Sequence, residues 1–273
     1  MTTRRSSPGA FTLIEMLVVL SIVGILAAIA MPMVSNFRKG DATLAGTRQL
    51  LDDVTRARQL AISQRTTVYM IFCPSNFWND IAYASLPQTE QNKATRLLDK
   101  QVNAYAFVSM RSVGSQPGQI EPRYLSAWRA LPEGAVLPLF KFMPRNRYVD
   151  ISDPPPPVTP ARRVFRVAGF AVTNSIPFPS EDAYAPGRIY VTVPYIAFNH
   201  LGQLASGVDE YIPLAKGSIA YARDVNKVPM IPSDPSKSVA VSESPPGNAV
   251  NAFNLVHIDW LTGRVSLERQ QIQ

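Results

Sequence analysis

The chain has 273 residues, a formal net charge of +7 and a mean hydropathy near zero. That length holds one sizeable core or two small ones, and the hydropathy excludes a polytopic membrane protein, because only one run approaches the ~20 apolar residues of a span. The single cysteine, Cys73, excludes an intrachain disulfide, and the two histidines, His200 and His257, lie far apart without cysteine partners at metal-ligand spacing.

Residues 1–10 are short, basic and polar, with Arg4 and Arg5 as their charges. Residues 11–34 are apolar apart from Thr12, Glu15 and Ser21. The outline is that of a signal peptide, but the apolar run is too long for a typical h-region and no clear small-x-small cleavage site follows it. At ~1.5 Å rise per residue the run spans a ~30 Å hydrocarbon core with some tilt, so a retained membrane helix fits better. Glu15 is the anomaly. A charge deep in a bilayer costs at least ~2.5–3.5 kcal/mol and is a functional suspect, whereas at the headgroup level it costs little. Arg4 and Arg5 on one side and Arg38 and Lys39 on the other leave the orientation open.

The stretch GAFTLIEMLVVLSIVGILAAIAMP resembles the type III signal of type IV prepilins and type II secretion pseudopilins. The resemblance implies cleavage by a prepilin peptidase on the cytoplasmic side, between Ala10 and Phe11 or between Gly9 and Ala10, and methylation of the new amino terminus at Phe11. Ala10 stands where glycine is usual, which leaves the scissile bond open between these two. Counted from Phe11, Glu15 is fifth, where the family keeps its glutamate, and Pro32 falls where many pilins have a helix-bending proline. Thr12 belongs to the same Phe-Thr-Leu-Ile-Glu signature. Glu15 would pair with the α-amine of a neighbouring subunit, since opposite charges at close range favour both ionised forms. Gly24, Ala27, Ala28 and Ala30 either let such helices approach closely or reflect ordinary span composition.

Residues 41–65 read as an amphipathic helix. Leu44, Leu51, Val54, Arg58 and Ala61 fall near period 3.6, and Leu50, Ala57 and Ile62 widen the stripe. Asp52, Asp53, Arg56, Arg58 and Arg65 are expected mostly opposite the stripe or at its edges. Pro32 and Gly40 are candidate bends, and Asp41 a candidate cap if the helix is interrupted there. The period then becomes two. Strands are expected at TTVYMIFC (66–73), NAYAFVSM (103–110), RVFRVAGFAV (163–172), RIYVTVPYIAF (188–198) and NLVHIDWLTGRVSLE (254–268), with turns at Leu261-Thr262-Gly263 and FNHLGQL (198–204). Between them lie polar or proline-rich stretches at 74–100, 144–160 and 226–248, expected as long loops. DPPPPVTP within the second is stiff, extended and expected on the surface. No internal repeat is present.

LLDDVTRARQLAISQRTTVYMIF, WRALPEGAVL, IAFNHLGQL and VHIDWLTGRVSL resemble, in the right order, pieces of the GspH/FimT type of minor pseudopilins and minor pilins. A weaker resemblance, in length and in ARQLAISQRTTVYM, is to pilin-like proteins of Verru_Chthon cassettes. Together these imply an α+β pilin-like fold. A leader (1–10) would precede an assembly helix (11–34), an amphipathic helix (35–65) and a β-rich domain (66–273) whose sheet is largely antiparallel and packs on the helix. The implied partners are the prepilin peptidase, other pilin subunits, an inner-membrane assembly platform and the lipid bilayer, with no cofactor. The implied location is the cytoplasmic membrane, single-pass with the domain periplasmic, and then the filament. The lack of a cysteine pair favours a minor over a major subunit.

An enzyme is not expected. Ser63, Ser175, Asp259, Glu210 and the histidines could be assembled on paper, but no nucleophile elbow, phosphate loop or metal motif supports doing so. His257 alternates with Val256 and Ile258 and is expected to face solvent. Some FimT-like minor pilins bind DNA through basic residues near the C-terminal end, where Arg264 and Arg269 are the local candidates. Glu268 lies beside Arg269, and Arg162, Arg163 and Arg166 read as solvated charges flanking a strand. Nucleic acid is therefore not the expected partner.

Overall fold

The computed structural model describes residues 13–270, apart from 112–113, 115, 117–120, 156, 158–161, 173–174, 179–189, 233 and 235–238; the side chains of 28–41, 81–82, 175 and 190 are not described. The architecture is α+β, with an N-terminal helix and antiparallel sheets. The chain divides into two units, Met1–Asp41 and Ala42–Gln273. Helix α1 (Leu13–Gln64) contributes to both and is uninterrupted through Pro32, Gly40 and Asp41, so Asp41 caps no separate helix. It ends where Arg65 turns left-handed (φ 51°) and the Thr66 N–H returns to the Ala61 carbonyl at 3.2 Å, the usual way a helix closes its last turn.

After α1 the strands and short helices run in chain order: β1 (Val68–Phe72), α2 (Ile81–Ala84), α3 (Gln88–Thr95), β2 (Ala104–Ser109), β3 (Arg123–Tyr124), β4 (Arg129–Ala130), β5 (Ala135–Val136), β6 (Tyr148–Asp153), β7 (Arg163–Ala168), β8 (Ser175–Pro177), β9 (Tyr190–Thr192), β10 (Tyr195–Phe198), β11 (Glu210–Ala220), β12 (Ala240–Glu243), α4 (Asn248–Asn251), β13 (Asn254–Ile258) and β14 (Val265–Arg269). One sheet has the order β10-β1-β2-β3, with β4 also on β2; the other has β12-β11-β13-β14, with β5 on β11. β6–β7 and β8–β9 form separate hairpins.

The core of the larger unit forms around the C-terminal half of α1. Leu50, Val54, Ala57 and Ala61 are fully buried against Val68, Met70, Phe72, Tyr105 and Phe107 of one sheet and Ile212, Leu214, Val256 and Ile258 of the other. Leu44 and Ile62, expected in the stripe, are exposed. The other face of the first sheet is also covered, because Ile71, Ala106 and Val108 join Phe77, Tyr83, Leu86, Leu97 and Leu98 in a second core. β2 is therefore buried at every position. Stretch 74–100 accordingly differs from the expected long loop: it carries α2, α3 and a short 3-10 turn, and its apolar side chains roof the sheet. The other two expected loops hold β6 and β12.

Two strand expectations change for backbone reasons. RIYVTVPYIAF splits into β9 and β10 around Pro194, which has no N–H to give a ladder but accepts from Phe72 N–H at 2.8 Å. RVFRVAGFAV stops at Ala168, and the next residue, Gly169, lies so close to the Met143 backbone that a Cβ there would sit 1.9 Å from its carbonyl oxygen. β11, the longest of the described strands, lies outside every expected one. Its Pro213 and Gly217 obscure the pattern, and at Pro213 it pairs with β13 alone.

Cys73 is fully buried beside β1, and burial pushes its thiol well above the ordinary range. A buried neutral thiol is inert. Maleimide should therefore label the native chain at least ~100-fold more slowly than the urea-unfolded chain, as read by mass spectrometry; equal rates would place Cys73 at the surface.

Candidate assembly site

Among the residues of the smaller unit, α1 presents an apolar surface on all sides. Every described side chain from 13 to 27 is exposed, Leu13 at 84% and Leu20 at 71%. A helix that is apolar all round belongs inside lipid or among other helices. Among the described residues no helix is long and apolar enough to cross a membrane, and the described side chains stop at 27, short of the apolar run's end at Val34. Ser21 hides its hydroxyl by donating to the Leu17 carbonyl at 2.8 Å, which removes a polar cost from that surface. A Cβ at Gly24 would meet nothing within 4 Å, so this position leaves space beside the helix.

Glu15 lies on α1 and is exposed among the apolar side chains of residues 13–27. Gly9, Ala10, Phe11 and Thr12 lie outside the described residues. Pro32 lies within α1, and only its backbone is described.

The larger unit holds α1 by polar contacts that the helical pattern did not reveal. Asp53, expected away from the buried stripe, is itself buried. Its carboxylate accepts from the Tyr105 hydroxyl at 2.5 Å and from Arg129 Nη1 at 2.9 Å. Gln49 Nε2 donates to the same Tyr105 oxygen at 2.8 Å and to the Ala130 carbonyl at 2.9 Å. Burial first, and then the bond to Asp53, raise the Tyr105 phenol above its ordinary value. The cluster fastens the helix to β2 and β4.

The residues considered for catalysis are scattered. Ser63 donates to the Leu60 carbonyl, Asp259 caps a turn through Thr262, and Glu210 is buried against Lys141 and Arg145. His257 lies opposite the buried Val256 and Ile258, as its alternation predicts, and is partly exposed there; its ring stacks on Tyr211 at 4.6 Å and bonds to Asp209 at 3.2 Å. Cross-strand pairing with both Tyr211 and Ser266 puts it on a partly covered face. Among the described residues no group of three or more His, Cys, Asp or Glu could hold a metal ion. Arg264 and Arg269 are not brought together, since they flank opposite ends of β14. Arg163 reaches over to pair with Glu268 at 2.9 Å and with Asp153 at 2.7 Å, and it donates to the Arg269 carbonyl. Much of the charge near Arg269 is thus neutralised.

Residues 5–31 match the family model of the prokaryotic N-terminal methylation motif. This prepilin-type match supports a type IV pilin-like or pseudopilin chain, a substrate of prepilin peptidase with a membrane-anchored N-terminus. It suggests a structural subunit rather than an enzyme, and it implies assembly with other pilins. No curated protein and no solved structure matches the chain.

Proposed function

We propose that the chain is a minor pilin or pseudopilin of the GspH/FimT type, built into a type IV pilus or a type II secretion pseudopilus. The observation that carries this reading is the methylation motif over residues 5–31. The uncovered apolar surface of residues 13–27 supports it, because such a helix needs lipid before assembly and neighbouring helices after it. In this reading the leader ends at Ala10, Phe11 carries the methylated amine, and Glu15 pairs with that amine on a neighbour. Each charge is costly in an apolar bundle and much less so when paired. Thr12 and Pro32 belong to the same assembly segment, and residues 66–273 form the periplasmic domain.

The test is intact mass of the membrane-extracted chain, with and without a co-expressed prepilin peptidase. The expected result is a peptidase-dependent loss of residues 1–10 with gain of one methyl group. Retention of residues 1–10 under both conditions would sink the reading and leave a single-span anchor with an outer domain. Glu15→Ala should then lower incorporation into sheared filaments at least ~10-fold, since one unpaired amine in the bundle costs ~2 kcal/mol or more. Undiminished incorporation would remove Glu15 from subunit registration.

A further inference from the structure

We draw no further inference here: the strongest candidate, the apolar surface patch at two touching turns near the C-terminal end of α1 (Leu201 in one, Trp260 and Leu261 in the other), is flanked by Asp209 and Asp259 as well as by Arg58 and Arg264, and nothing in the structure shows what covers it.

Discussion

Lys141→Ala should lower the unfolding free energy of the larger unit by about 3–5 kcal/mol. For a unit of this size that is a fall in Tm of roughly 6–20 °C. Lys141 lies in the short 3-10 segment after β5 and is fully buried. Its ammonium pairs with Glu210 at the start of β11, donates to the Ala168 carbonyl at 2.7 Å and sits 4.6 Å from the Phe170 ring centroid. Burial pushes its pKa down, and Glu210 opposes that shift. Removing the lysine leaves Glu210, itself buried, with only the half-exposed Arg145 at 3.3 Å. An uncompensated buried carboxylate is costly, whereas replacing both partners by apolar residues is often neutral. The double variant Lys141→Met/Glu210→Met should therefore recover most of the loss. Differential scanning calorimetry of the single and double variants in detergent checks this. Equal Tm values for wild type and Lys141→Ala would show that the pair holds nothing together.

The second large effect is expected at Asp53. Asp53→Ala strands the buried Tyr105 hydroxyl, releases the exposed Arg129 guanidinium to solvent, and leaves Gln49 as the remaining polar tie in this cluster from the helix to β2 and β4. Each hydrogen bond to a charged group is worth about 1.5–3 kcal/mol, with the bond to the exposed Arg129 at or below the low end, so losing both costs about 3 kcal/mol. Tyr105→Phe removes one neutral donor to a charged group and should cost about 1.5–3 kcal/mol. The ordering Asp53→Ala worse than Tyr105→Phe distinguishes a charge-centred clamp from simple packing. Urea unfolding followed by circular dichroism gives both values, and the reverse order would place the stabilisation in the ring of Tyr105. Because Asp53 is on α1, the same variant should also loosen the helix, visible as faster amide exchange across residues 47–61.

Hydrophobic order along the chain carried much of this protein. The N-terminal signature, the apolar run and the period-3.6 stripe are local patterns, and each depends only on neighbours three or four residues apart. The same holds for the turn at Leu261-Thr262-Gly263, because Asp259 closes it within the segment. Asp53 was misread for the complementary reason. Periodicity assigns a carboxylate to the wet side of a helix, and only Tyr105 and Arg129, brought in from 52 and 76 residues away, make its burial stable.

β11 shows the limit on strands. Its partners β5, β12 and β13 come from three separate stretches and accommodate Pro213 and Gly217 in ways that no window of sequence displays. The roof over the first sheet is a third case. Phe77, Tyr83, Leu86, Leu97 and Leu98 are spread through polar residues, and they become a core only because β1 and β2 offer them a second apolar face.

The sequence by itself determined the prepilin-type terminus with Glu15 inside it, since that information is contiguous and chemical. Tertiary structure alone decided which charges are buried and which strands pair. Those outcomes depend on distances between residues far apart in the chain, and such distances are set by packing.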